Sequence, residues 1–174
     1  MKIVDIFAKQ LFAFYYDNED NNEFDRLIEL WTDVEYLKSF AEINKINHIE
    51  DFINDISYYV EQIQDLLYDI ESSDKKTLEY YFRPLHDQEM GQRVLSLQKG
   101  KVGRNNSLRI YAIKIYDNCF IITGGAIKMS QKMQDHPDTK NELIKLDRAK
   151  SFLKENGVMD IDSFYELIEE IDDK

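Results

Sequence analysis

Eight cations punctuate residues 93–132: Arg93, Lys99, Lys101, Arg104, Arg109, Lys114, Lys128 and Lys132. Asp117 is the one carboxylate in that stretch. Cationic side chains gathered in this way hold a phosphate and stabilise the charge that develops in phosphoryl transfer. Arg93, Lys99, Lys101 and Arg104 surround a turn-prone run, KGKVGRNNS, whose Gly and Asn residues permit left-handed backbone. Arg109 and Lys114 belong to the apolar run that follows, and Lys128 and Lys132 come after its returning partner. Closing that hairpin brings Arg109 and Lys128 to one edge of a sheet, with Tyr111 beside them. Tyr81 and Tyr111 offer rings on which bases stack. A simpler alternative stays open, in which the same cations only keep exposed strands from pairing edge to edge.

Other chemistry has little to stand on. The chain has no P-loop, GxGxxG, HExxH or paired CxxC. His48, His86 and His136 lack metal-ligand spacing, so neither a metal nor a cofactor is expected. Cys119, the single cysteine, cannot form an internal disulfide, and its apolar setting CFII marks a buried, inert thiol. The N-terminal run is interrupted by Asp5 and Lys9 and reads as no signal peptide. No uncharged apolar run approaches the roughly 20 residues of a bilayer span, so a cytoplasmic protein without membrane contact is expected.

The net charge of −12 over 174 residues argues against a uniformly basic nucleic-acid binder. Residues 1–80 hold 7 basic and 19 acidic side chains, residues 81–150 hold 13 and 7, and residues 151–174 hold 2 and 8. A basic middle is thus flanked by two acidic segments, which suggests a division of labour.

The elements that must position the cations are legible as patterns. Lys2 to Phe14 reads as a first strand. Leu27, Leu30, Trp31, Val34, Leu37 and Ala41 give one helical face, with Asn22 as N-cap. Phe52, Ile56, Tyr59, Ile63, Leu66 and Ile70 give a second, opened by a capping box at Asn47 and Glu50. Thr77–Phe82 and Val94–Gln98 read as strands. Leu108–Tyr116, the turn Asp117-Asn118 and Cys119–Thr123 form the clearest hairpin, and Gly124-Gly125 marks a bend or bulge. A helix over Thr139–Asn156, capped by Asp135 or Asp138, ends at Gly157, and a last one starts at Asp160 or Asp162. The expectation is one α+β domain over residues 1–174: an antiparallel sheet, helices on one side, an acidic helical pair 22–72, a basic hairpin region 93–128 and C-terminal helices 138–172.

The run from Leu108 to Gly157 resembles the core of RelE/HigB-like toxins of bacterial toxin–antitoxin pairs. The resemblance rests on Leu108-Arg109-Ile110-Tyr111, the turn Asp117-Asn118, Gly125-Ala126-Ile127-Lys128, Pro137 and the helix Glu142 to Leu153. It implies a small α+β fold, a cognate antitoxin as partner, and metal-independent cleavage of mRNA at the ribosome. It implies further that Arg109 contacts the scissile phosphate, that Lys128 stabilises the transition state, and that Lys132 supports it. Tyr111 and Tyr165 are the candidates for proton transfer. Arg93, Lys99, Lys101, Arg104 and Lys132 would bind the RNA chain. A competing reading is a non-catalytic module on the same fold whose acidic helices bind a protein. A third has the acidic terminal helix covering the basic segment.

Overall fold

A computed structural model describes residues 1–8, 10–86, 88, 94–129 and 136–174. The fold is mixed α+β. Its strands are β1 (Lys2–Asp5), β2 (Leu11–Tyr15), β3 (Phe82–Pro84), β4 (Ser96–Gly100), β5 (Leu108–Tyr116) and β6 (Cys119–Ile127). Its helices are α1 (Glu23–Thr32), α2 (Val34–Ile43), α3 (Ile49–Ser72), α4 (Leu78–Tyr81), α5 (Pro137–Glu155) and α6 (Ile161–Asp172). Six strands make one sheet in the order β1-β2-β6-β5-β4-β3.

The β5–β6 hairpin forms as its alternation predicts, with Asn118 in the left-handed region (φ 59°) at the turn. Leu108, Ile110 and Ala112 face one core, while Tyr111, Ile113 and Ile115 face another. A strand apolar on both faces requires cover on both. α1, α2 and α3 supply one cover through Leu27, Trp31, Leu37, Ile56 and Ile63. α5 and α6 supply the other through Leu146, Ala149, Leu153, Phe164 and Leu167. The expected layout with helices on one side is therefore corrected to helices on both.

The purely antiparallel sheet is corrected as well. β2 pairs parallel to β6, while the remaining pairings are antiparallel. The helices α1–α4 lead from β2 to β3 at the far edge of the sheet, and the antiparallel run β3-β4-β5-β6 brings β6 back beside β2 in the same direction. The expected first strand is a β1–β2 hairpin, turned at Gln10 (φ 62°). The helical pair is three helices, because Asp33 ends α1 and caps α2, accepting from the Glu35 and Tyr36 N–H groups. Asn22 caps α1 as expected. The Asn47–Glu50 box does not form; His48 stands at the start of α3 without a side-chain cap. Thr77–Phe82 holds one helical turn before β3, and His136, rather than Asp135 or Asp138, caps α5. Gly157 takes the left-handed conformation (φ 79°) after α5, and Asp160 caps α6 in a reciprocal box with Ser163. Among the described residues no helix is long and apolar enough to cross a membrane.

Candidate functional site

Cross-strand partners share a face of a sheet, and alternate residues along a strand do too. Lys99 pairs with Tyr111, Tyr111 with Gly124, and Arg109 with Ala126. Lys128 lies two residues beyond Ala126, its N–H bonded to the Ser107 carbonyl (2.8 Å). Lys99, Arg109, Tyr111 and Lys128 therefore stand on the α5 face, at the open end of the β5–β6 hairpin. Lys101 and Arg104 follow directly from β4. The expected meeting of Arg109 and Lys128 is present in the structure, where they are diagonal neighbours across β5 and β6.

The side chains feel one another as like charges. Burial lowers the Lys128 pKa, and Arg109, Lys99 and Lys101 lower it further. Lys101 is shifted down the same way, by burial and then by Arg109, Lys99 and Arg104. Burial also lowers the Arg109 pKa. Arg109 is only 8% exposed, and its Nη1 donates to the carbonyls of Asn106 (2.6 Å) and Leu108 (3.0 Å). Among the described residues no ion pair joins Arg109, Lys99, Lys101, Arg104 or Lys128 to a carboxylate. A buried cation costs stability unless an anion compensates it. An arrangement of this kind can hold an anion.

Asn106 fixes this geometry. Its Oδ1 accepts from the Leu108 N–H (2.9 Å), and its Nδ2 donates to the Tyr59 carbonyl on α3 (3.3 Å). The loop before β5 is thereby tied to α3, and the Arg109 guanidinium rests against it.

Other expected residues have different roles. Lys114 pairs with Glu79 (2.7 Å) and Asp117 (3.4 Å) near the turn, away from the cation row. Tyr111 and Tyr81 are 1% and 2% exposed, which leaves neither ring a face for a base and corrects the stacking role expected of them. Burial pushes the Tyr111 phenol up to about 12. Cys119 is buried, and burial pushes its thiol up to about 12, in keeping with an inert group. Tyr165 lies against Phe12 at the turn end of the hairpin, beside Asp5 and Cys119. Phe164 of α6 packs edge-on to Phe12 there (5.1 Å). The terminal acidic helix thus occupies the end of the sheet opposite Arg109 and Lys128, not the basic segment. Arg93 and Lys132 lie outside the described residues.

A second charged cluster borders the site in the gap beside β6, where α1 and α5 approach from opposite faces. β6 loses its parallel partner after Ile122, leaving the backbone from Thr123 onward with β5 on one side and no strand on its β2 side. Tyr16 donates its hydroxyl to the Thr123 carbonyl (2.8 Å), and the Gly125 N–H bonds the Glu142 carboxylate. Glu23, 1% exposed, accepts from Arg26 Nε (2.7 Å), Arg26 Nη2 (3.0 Å) and Lys145 Nζ (2.6 Å). Lys145 also lies 4.7 Å over the Tyr16 ring. A Cβ on Gly124 would collide with Glu142 and stand 3.4 Å from Glu23 Oε2, so the glycine makes the notch in which both carboxylates meet. Sequence reading passed over these carboxylates. Their signal was phase: Glu23 is in step with Leu27 and Trp31, and Glu142 with Leu146, Ala149 and Leu153.

The chain matches no family model, no curated protein and no solved structure.

Proposed function

We propose that the cation row at the open end of the β5–β6 hairpin binds the phosphates of single-stranded RNA, and that the chain is a RelE/HigB-like toxin that cleaves mRNA without a metal. The observation that carries this reading is the buried Arg109 guanidinium, which among the described residues bonds backbone carbonyls and no carboxylate and stands with Lys99, Lys101 and Lys128 around it. Phosphate oxygens supply the charge-assisted acceptors that this arrangement lacks. In the cleavage step the ribose 2′-oxygen forms a bond to the adjacent phosphorus and gives its proton to water. The bond from phosphorus to the 5′-oxygen breaks, leaving a 2′,3′-cyclic phosphate. Arg109 holds the non-bridging oxygens. Lys128, whose ammonium is made more acidic by burial and by three neighbouring cations, gives the 5′-oxygen its proton. Tyr111 packs beneath Arg109 as a support.

A second reading, a protein-binding module, is favoured by exposed rings on the acidic helical side: Tyr58, Tyr68 and Tyr80 are 57%, 67% and 57% exposed. Aromatic side chains on a charged surface suit a basic partner, and an antitoxin would be one such partner. The two readings separate in a cell-free translation assay. Micromolar protein is expected to arrest synthesis and cut the message, and Arg109→Ala to relieve both. Full translation at that concentration would overturn the nuclease reading and leave the binding module.

A further inference from the structure

Glu142 has a feature that the anion site does not by itself explain. Its Oε2 is buried and has no hydrogen-bond partner, while the Gly125 N–H bonds the same carboxyl group. Glu23 Oε2 borders the same Gly124 notch. Two carboxylates can share a notch of this size if one of them carries a proton, because the O–H then donates to the other and the repulsion disappears.

We propose that Glu142 is a positioning residue for the cation site: its carboxyl group carries a proton, donates it to Glu23 Oε2 across the Gly124 notch, and thereby steadies the β2 side of the half of β6 that has only β5 as a strand partner, where Lys128 stands beside Arg109. The inference rests on the reading of that cation row as an anion site.

Geometry makes the coupling direct. Thr123 to Ile127 has no strand on its β2 side, and the contacts that replace one come from Tyr16 and Glu142. Ala126, next to the Glu142-bonded Gly125, is the partner of Arg109, and Lys128 follows two residues later. Losing the Glu142 bond leaves this segment held by β5 and Tyr16 alone and loosens the spacing of these two cations.

The groups facing Glu142 come from every neighbouring element: Glu23 and Arg26 of α1, Tyr36 of α2, Tyr16 after β2, Tyr111 of β5, and Lys145 of its own helix. Burial is the largest influence on Glu142; Lys145 opposes it, Glu23 adds to it, Arg26 and the Gly125 N–H oppose both, and together they push its pKa up to about 7. The proton is thus held in acid and lost near neutrality, when Glu142 begins to repel Glu23.

The test uses the full chain with carboxyl and amide NMR, alongside binding of a single-stranded RNA oligonucleotide between pH 5.5 and pH 8.5. Glu142 is expected to titrate near neutrality, and the amide shifts of Ala126, Ile127 and Lys128 to follow it in the free protein. RNA affinity should fall at least threefold with rising pH, beyond any drift shown by Glu142→Gln. That variant keeps a donor toward Glu23 and an acceptor for Gly125 but cannot ionise, so its amide shifts should stay level. A Glu142 that is ionised throughout the range overturns the shared proton. A titrating Glu142 with level amide shifts at 126–128, or with matching pH profiles in wild type and Glu142→Gln, overturns the positioning role. Absence of RNA binding at every pH, with the amide shifts still following Glu142, would count against the RNA reading and leave the shared proton standing.

Discussion

The two charged clusters flank the same strand, β6, yet they are built on opposite principles. Around Glu23, opposite charges meet: one buried carboxylate accepts three bonds from Arg26 and Lys145. Around Arg109, like charges gather, and burial works against them. The first cluster replaces a missing strand and joins α1 to α5. The second contributes nothing of that kind and is held in place by Asn106 and the β-sheet register. Compensated charge of the first kind is a structural device, whereas uncompensated charge is a liability that a ligand relieves.

The sharpest way to break the comparison is to disturb each cluster and read stability and activity together. Glu23→Ala leaves Arg26 without its carboxylate at the junction of two helices, and Lys145 with the longer contact to Glu142 alone (3.9 Å). It should lower unfolding free energy by about 3 kcal/mol, measured by urea denaturation. A loss too small to resolve would show that the cluster is not structural. Arg109→Gln should do the reverse: cleavage falls about 100-fold while stability stays within about 1 kcal/mol of wild type or rises. A large loss of stability with RNA binding intact would invert the assignment.

Smaller effects sharpen the picture. Gly124→Ala drives a methyl group into the notch held by Glu142 and should cost about 2 kcal/mol, with the α5 amides most affected. The folded protein binds Glu142's proton more tightly than the unfolded chain does, so stability falls as pH rises from the ordinary carboxyl range to about 7 and then levels off. Glu142→Gln should therefore be more stable than wild type at pH 8, by on the order of 1–2 kcal/mol, and close to it at pH 5. Thermal denaturation at the two pH values checks the sign. Lys101→Ala, at an exposed position, should leave stability unchanged and reduce the salt slope of RNA binding by about one.

The sheet's centre was legible because its pattern is local: nine residues rich in Ile and Tyr run through Leu108–Tyr116, and Asp117-Asn118 signals the turn. That hairpin alone brought Arg109 and Lys128 together. The apolar residues on both faces of β5 also implied cover on both sides, although the expected layout placed helices on one. The parallel pairing of β2 with β6 was not legible, since it depends on where a long helical excursion returns the chain. The helix break at Asp33 was hidden because one residue serves both ends without interrupting the apolar phase. The site was legible in its charges and not in their partners. Asn106 read as a turn residue, while its two-sided bonding depends on α3. Glu23 and Glu142 were lost among the many surface carboxylates, though each sits where an apolar side chain would keep its helix's stripe unbroken.

On the proposed function, the open end of the hairpin takes up the phosphates of RNA. Anisotropy of a labelled single-stranded RNA, titrated with wild type and with Arg109→Gln at low and at physiological salt, tests it most directly. The account predicts micromolar binding at low salt that weakens steeply with added salt, and about a tenfold loss in Arg109→Gln while its urea midpoint is unchanged. Wild-type protein that fails to bind at low salt, or an Arg109→Gln variant that binds as wild type does, would contradict it.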